Sequence, residues 1–592
     1  MYRNFHIATY PHAEYLYYAD LDTVEEAIRY FQKRLPLTKV YLETHRGMYD
    51  IEESKMRAVK ELFHRYGIET GGAIAPTLSI PGHEKNTLYD VICYQDPVYR
   101  EAFLDIVRYT ASLFDEIILD DFFFTSCKCP LCIDARGDRT WAEYRTDLML
   151  QVSRDMKAAA ADVNPGCRLI IKYPNWYESY RQCGYAPDLQ KDVFDFVYTG
   201  TEARNPKYDP QHVQRYLSYS SFRRITGIVP GRNLGAWIDE GGSNNHINTW
   251  VEQAALSLFA GAKELIACRD WMSFRYPTLT ECPLQPVLGH QLKRIDSLLD
   301  KTGTPIGVSV YEPLEGSGEG QLINYLGMLG IPFEPSAVFR EDAPVIFLTA
   351  SAAGDPQILT KLKSYVRNGG HAVATPAFVE AMSDRGIDEI TNAQITNRRA
   401  CAELFIADGY HRNQRIYCES REPVTFPVYT CSGGAWQAVS MVTEEAGFSI
   451  LTEEFYGDGS FLILNIPDDY SQLYRLPEAV VAEIAAVLTR GLFVSLSAAP
   501  KYSLFVYDNQ TFGLLSYRPH AGEVDISIRL EDASGIRDLE TGEVFAPLTV
   551  DMHPEKRFDS AKIPEALTEQ HYKVSIENGE FRFFEVLRKE HA

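Results

Sequence analysis

Over the first 300 residues, short apolar runs alternate with longer segments whose apolar positions recur at helical spacing. "FHIATY" reads as a strand and "DTVEEAIRYFQKRL" as the helix after it. "KVYLETH" and "EESKMRAVKELFHRYG" repeat the pair. "GGAIAPT" and "DPVYREAFLDIVRYTASLF" repeat it again, with Pro97 placed to open the helix. "EIILDD" precedes the long helix "TWAEYRTDLMLQVSRDMKAAAADV". Strands five to eight are "RLIIKYPN", "DFVYTGTE", "NLGAWIDE" and "KELIACRDW", the last two separated by the helix "INTWVEQAALSLFAGA". This pattern predicts a (β/α)8 TIM barrel over residues 1–300, with an open doubly wound sheet as the competing arrangement. The barrel is favoured because polar residues gather at the C-terminal ends of the strands: Glu43, Thr44 and His45; Asp120 and Asp121; Lys172, Tyr173 and Asn175; Glu202; Asp239 and Glu240; Arg269 and Asp270. In a barrel those ends share one face, where barrel chemistry sits.

The pattern then changes. "GTPIGVSVYEP", "APVIFLTAS" and "GGHAVATP" are continuous apolar runs, as in buried parallel strands, and "GQLINYLGMLG" and "DPQILTKLKSYVRNG" between them have helical spacing. They predict a small open α/β domain over 303–490, with "GSFLILNIPDD" as a strand near its end. Residues 395–445 follow neither period and fit no element. From 495 to 592, segments such as "YSLFVYDNQTFGLLSYRP" predict short strands of a small C-terminal β-sandwich.

Composition narrows the function. At 592 residues the chain exceeds what one hydrophobic core supports, and 45% apolar with 23% charged residues is ordinary for a globular protein. The formal net charge of −23, with no long basic run, argues against nucleic-acid and membrane-surface partners. No apolar run approaches the ~20 residues that span a bilayer. The start, "MYRNFHIATYPHAEY", lacks a signal-peptide pattern, so a cytoplasmic location is expected; an exported chain trimmed of its signal would read the same.

The densest chemistry lies in "EIILDDFFFTSCKCPLC", residues 116–132, where a strand ends in Asp120 and Asp121 and Cys127, Cys129 and Cys132 follow as C-x-C-x-x-C. A closed zinc site needs four ligands. In a barrel the loops after strands three and four are neighbours, so Cys93 can supply the fourth. Four thiolates leave no open coordination position, which makes the expected zinc structural, one per chain. The plainer reading is a set of reduced thiols. Eleven cysteines without an export signal argue against a disulfide framework.

"CYQDPVYREAFLDIVR" at 93–108, the acidic pair, "CKCPLC" and the helix with "WAEYR" together resemble glycoside hydrolase family 42, the bacterial β-galactosidases. The resemblance implies a structural zinc on Cys93, Cys127, Cys129 and Cys132. It also implies a flavodoxin-like trimerisation domain followed by a small β domain, hence a homo-oligomer with a trimer favoured, and a carbohydrate substrate without an organic cofactor. The family ends strand four in Asn-Glu, where this chain has Asp120-Asp121. Asp121 therefore stands at the position of the family's general acid/base, with a shorter side chain. The family's strand-seven nucleophile corresponds to Glu240, with Asp239 beside it. These departures mark a divergent relative to which galactose specificity does not carry over.

Glycosidases use two carboxyl groups flanking the scissile bond, one of them kept protonated near neutrality by burial or like charge. Asp121 with Glu240 describes a retaining β-glycosidase. A strand-four Asp, either Asp120 or Asp121, with Glu202 describes an α-retaining enzyme resembling the α-galactosidase clan. Glu43 and His45 either bind sugar hydroxyls or form salt bridges. Trp176, Trp237 and Trp271 either stack on a pyranose or pack the barrel. Asn175 is placed for a sugar 2-OH, and Asp270 for a hydroxyl or for Arg269. The leading expectation is an oligomeric exo-glycosidase acting on an oligosaccharide or glycoconjugate. Its rivals are a carbohydrate-binding protein with a degenerate barrel and a zinc hydrolase.

Overall fold

The computed structural model describes all residues except 84, 88, 206, 208, 240–246, 268–283, 410–413, 432, 549–568 and 590–592. The chain forms two compact units, Met1–Asp300 and Lys301–Ala592.

The first unit is a closed barrel of eight parallel strands: β1 (His6–Thr9), β2 (Lys39–Arg46), β3 (Glu69–Ile74), β4 (Glu116–Leu119), β5 (Arg168–Tyr173), β6 (Phe196–Gly200), β7 (Asn233–Ile238) and β8 (Glu264–Ala267). Closure is direct, since β1 pairs with both β2 (Ala8 opposite Lys39) and β8 (Ile7 opposite Leu265). The helices end where local chemistry dictates. Asp20 accepts from the Thr23 N–H to cap Leu21–Gln32, and Pro97 opens Pro97–Leu113 behind the Asp96 cap. Thr140 and Glu143 form a reciprocal capping box at the start of Trp141–Val163. Alternate strand residues fill the lumen, where Ala8, Tyr10, Tyr41, Ala73, Ile118, Ile170, Tyr198, Trp237 and Ile266 make one buried cluster. Two strands give way to its bulky rings: a Cβ on Gly71 would lie 2.7 Å from the Tyr41 ring, and one on Gly235 would lie 2.6 Å from the Tyr198 ring.

The second unit carries a nine-stranded sheet. Its strands are β9 (Val308–Tyr311), β10 (Phe333–Ser336), β11 (Val345–Leu348), β12 (His371–Ala374), β13 (Gln394–Gly409), β14 (Gln414–Thr430), β15 (Trp436–Val442), β16 (Gly447–Tyr456) and β17 (Gly459–Leu464). The parallel part runs β10-β9-β11-β12-β17, the 2-1-3-4-5 order of flavodoxin-like sheets. Within residues 395–445, which fit no element by sequence, β13, β14 and β15 belong to the antiparallel extension β16-β15-β13-β14 inserted between the fourth and fifth parallel strands. β13 and β14 pair with register shifts after Ile395 and Ala402, and such irregularities blur a period of two. "GTPIGVSVYEP" holds two strands rather than one: Pro305–Ile306 pairs antiparallel with Val506 and Tyr507, and Val308 begins β9.

The C-terminal strands are β18 (Val494–Ser497), β19 (Tyr502–Tyr507), β20 (Thr511–Ser516), β21 (Gly522–Ile528), β22 (Ala533–Asp538), β23 (Gln570–Ile576) and β24 (Phe581–Arg588). They form a three-stranded sheet, β18-β21-β23, and a larger one built on β19-β20-β24-β22. Leu496, Ile526 and Val574 of the first share a core with Leu504, Leu514 and Phe584 of the second, as in a sandwich. Among the described residues, no helix is long and apolar enough to cross a membrane.

Candidate active site

Strand parity builds the site. Ala8 and Tyr10, Tyr41 and Glu43, Ile118 and Asp120, Ile170 and Lys172, Tyr198 and Glu202, and Trp237 and Asp239 each share a strand side, and the first of each pair lies in the lumen core. The lumen stack therefore changes from apolar to charged as it reaches the C-terminal face.

Glu43 is fully buried. It accepts from the Tyr10 hydroxyl at 2.7 Å, the Ala13 N–H at 2.6 Å and Arg46 Nε at 2.9 and 3.0 Å. Arg46 Nη2 donates to Glu43 at 2.8 Å and to Asp120 Oδ2 at 2.5 Å. The other Asp120 oxygen accepts from the Asp121 N–H at 2.7 Å. Burial would raise the Asp120 carboxyl, but Arg46 and then Lys172 outweigh it and hold it well below the usual carboxylate range. Asp120 is thus a fixed anion whose oxygens are already engaged.

Lys172 occupies the centre. Its side chain is 2% exposed, and Nζ lies 3.1 Å from Asp121 Oδ2 and 2.9 Å from Glu202 Oε1. The ammonium also sits over the Trp237 ring, 4.1 Å from its centroid. Desolvation pulls the lysine down, but the three carboxylates around it raise it above its ordinary value, so it stays a cation. Asp121 behaves differently. Burial, with the negative charges of Asp120 and Glu202, outweighs Lys172 and pushes its carboxyl up to about 7. The Tyr185 hydroxyl donates to the Asp121 carbonyl at 2.8 Å and fixes its backbone. Glu202 is buried, and among the described residues its Oε2 accepts no hydrogen bond.

The other expected site residues divide by environment. Trp237 is buried and packs 4.9 Å from Tyr10, making it the floor beneath Lys172. Trp176 is half-buried and edge-on to Phe124 at 5.3 Å, over the loop that follows β4. Asn175 Nδ2 donates to the Glu202 carbonyl at 2.6 Å and so positions that backbone. Asp239 lies 3.9 Å from Arg204. His45 is turned out of the constellation, because a register shift between Glu43 and His45 breaks the alternation of β2. Its Nδ1 pairs with Asp50 at 2.7 Å and its Nε2 with the Thr77 carbonyl at 2.8 Å. Glu240, Asp270 and Trp271 lie outside the described residues.

Two residues central to the site, Arg46 and Lys172, carry no role in the sequence reading. The signal for Lys172 was parity, since a lysine two residues after the lumen-facing Ile170 enters the barrel. Arg46 has only its spacing of three from Glu43.

Cys93, Cys127, Cys129 and Cys132 are buried, with all four sulfurs within 4.8 Å of one another. Cys93 Sγ is 3.5 Å from Cys132 Sγ and 3.7 Å from Cys129 Sγ. A tetrahedral zinc with ~2.3 Å bonds to sulfur sets its ligands about 3.8 Å apart, so the cluster fits a closed four-thiolate metal site. Pro130, between Cys129 and Cys132, starts the helix Pro130–Arg136, and Arg145 clamps the Ser126 and Gln182 carbonyls at 2.9 and 2.7 Å. The loop so pinned begins at Asp121.

The family model described as "probable glycosyl hydrolase, catalytic domain" matches residues 1–283, and the one described as "probable glycosyl hydrolase, C-terminal domain" matches 493–586. An uncharacterised protein of Saccharolobus solfataricus is 26% identical over 464 residues, covering 73% of this chain and 76% of its own length. Among solved structures, α-L-fucosidase isoenzyme 2 from Paenibacillus thiaminolyticus has a TM-score of 0.67 at 12% identity, with 99% of this chain and 100% of that chain covered. A family 42 β-galactosidase from G. stearothermophilus has a TM-score of 0.64 at 11% identity, covering 100% and 99%. With probable glycosyl-hydrolase models matching residues 1–283 and 493–586, the protein is a glycoside hydrolase, and its fold is shared with family 42 β-galactosidases.

Proposed function

We propose that the protein hydrolyses a glycosidic bond of an oligosaccharide or glycoconjugate by a retaining two-carboxylate mechanism in which Asp121 is the general acid/base. The observation that carries this reading is the Asp121 carboxyl, pushed up to about 7 beside an Asp120 locked as an anion. Carboxyl groups whose environments separate their proton affinities are the mark of an acid and its partner. Asp121 gives its proton to the leaving-group oxygen as the bond to the anomeric carbon breaks. It takes a proton back from the water that releases the sugar.

Glu202 is the described carboxylate placed to act as the second group. It and Asp121 both touch Lys172 Nζ, so the two contacting oxygens lie at most about 6 Å apart. Retaining enzymes hold their carboxyls at ~5–5.5 Å and inverting ones at ~6.5–9.5 Å. Its Oε2, without a hydrogen-bond partner among the described residues, is placed to meet an anomeric carbon. Glu240, at the position of the family 42 nucleophile, is the second reading. The fold neighbours include an α-L-fucosidase and β-galactosidases, so both anomers belong in the substrate panel.

The metal that fits the four-cysteine site is zinc, held by Cys93, Cys127, Cys129 and Cys132 with no position left for substrate. Its contribution when bound is structural: it fixes the loop that carries Asp121.

The test is hydrolysis of α- and β-aryl glycosides and unactivated oligosaccharides, with the anomer of the released sugar followed by NMR. Asp121→Asn should lower turnover of unactivated substrates about 10²–10⁴-fold while sparing kcat/KM, though not kcat, for activated aryl leaving groups. Wild-type activity should fall as pH rises through about 7, because the acid must enter protonated. Glu202→Gln and Glu240→Gln separate the two candidates for the second carboxylate, since the nucleophile's amide loses both substrate types. Unchanged turnover of unactivated substrates by Asp121→Asn refutes the assignment.

A further inference from the structure

We propose that Lys172 is a positioning residue of the hydrolysis: its buried ammonium fixes the separation of Asp121 and Glu202 and decides which of the two carries the catalytic proton. This rests on the reading of Asp121 as acid/base.

The geometry is specific. Nζ contacts one oxygen of each carboxylate, at 3.1 and 2.9 Å, and its third side lies against the Trp237 ring at 4.1 Å. A lysine that served only to fill space would not bridge strands four and six from strand five. The side chain is buried at 2% exposure, so water does not compete for the ammonium.

Charge counting assigns the proton. Among the described residues, Arg46 and Lys172 are ion-paired at the end of the lumen with four carboxyl groups, Glu43, Asp120, Asp121 and Glu202. With all four ionised, these groups would carry two more negative than positive charges, a state that proton uptake relieves. Glu43 is satisfied by Arg46, Tyr10 and Ala13, and Asp120 by Arg46 and the Asp121 N–H. Glu202 has the shorter contact to Lys172, at 2.9 Å. Asp121 has the longer one, with the Asp120 anion next to it in the chain, so the proton falls to Asp121. Among the described residues facing this centre, Tyr10, Tyr180 and Tyr185 stay neutral because burial raises their hydroxyls, and His12 approaches Asp120 from the loop after β1. Asp239, at the end of β7, lies against Arg204. Lys172 itself exchanges no proton, since the carboxyl groups around it raise it and hold it as a cation.

Lys172→Met removes the charge and keeps the chain's bulk. Losing an opposite charge at this distance raises a carboxyl by about 1–3 pKa units. The limb of the kcat/KM profile on which activity falls with rising pH, set by Asp121, should therefore move at least about one unit to the alkaline side, together with a fall in kcat. Lys172→Arg retains the charge and should leave that limb in place even if kcat falls through altered spacing. Lys172→Gln, neutral but able to hydrogen-bond both carboxylates, serves as a second neutral variant if Lys172→Met does not fold, and should move the limb the same way. Folding of each variant is checked by its thermal melt. Lower activity with an unmoved limb in either folded neutral variant overturns the proposal and leaves Lys172 a packing residue. An equal shift in Lys172→Arg overturns it as well. Failure of the Asp121 reading shows separately, as an Asp121→Asn enzyme that retains turnover of unactivated substrates.

Discussion

Replacing Arg46 with Met tests the electrostatic account of the lumen without touching Asp121 or Glu202. Arg46 compensates Glu43, which is fully buried, and Asp120, whose side chain is 7% exposed. Removing one partner of a buried ion pair costs about 3–5 kcal/mol, because the stranded charge keeps its desolvation penalty. The arginine side chain is 23% exposed, and solvent screening places the loss near the lower end, about 3 kcal/mol. Unfolding the unit Met1–Asp300 at about 2.1 cal/mol/K per residue gives an entropy near 0.6 kcal/mol/K, so the melting temperature should fall by about 5 °C. The pH dependence has a definite sign. Asp120 is depressed in the folded protein, so its stabilisation is present above its unfolded value near 4 and lost as pH falls through its folded value. Arg46 is the strongest charge behind that depression. The deficit of Arg46→Met should therefore be complete at about pH 8 and shrink toward about pH 5, as the released Asp120 takes up a proton on the acid side. Paired thermal melts of wild type and variant at the two pH values read both effects. A variant that melts within about 1 °C of wild type at the higher pH, or a deficit that does not change with pH, refutes the reasoning.

Cys132→Ser should abolish stoichiometric zinc, measured by elemental analysis, and cost several kcal/mol of stability, seen as a lower melting temperature; a wild type whose melt is indifferent to metal loading and strong chelation contradicts the zinc site. Gly200→Ala would place a Cβ 2.5 Å from Glu202 Oε2 and 3.1 Å from the Asn175 nitrogen. The carboxylate must move, and kcat should fall on the order of 10²-fold with a nearly unchanged melt; full activity would show that Glu202 tolerates displacement and is not the second catalytic group.

What the sequence determined is what local periodicity can encode. Each barrel strand is an apolar run short enough to be read against the helical segment beside it, and all eight stand where the pattern places them, as do the capped helices. The cysteine cluster was also legible, because C-x-C-x-x-C is a local signal and barrel order makes the loop of Cys93 its neighbour. The tertiary structure decided the rest. The antiparallel extension of the second unit was hidden, since register shifts within its hairpins erase the alternation. His45 looked like its neighbour Glu43, yet one irregularity in β2 sends it to Asp50 and Thr77 instead of the site. The same composition that offered several acids gave no rank among them. Rank comes from the cations that closure of the barrel brings from other strands: Arg46 to Asp120, Lys172 to Asp121 and Glu202. A carboxyl's affinity for its proton depends on charges a few ångströms away in space and on lost water, and neither quantity is written in the order of residues along the chain.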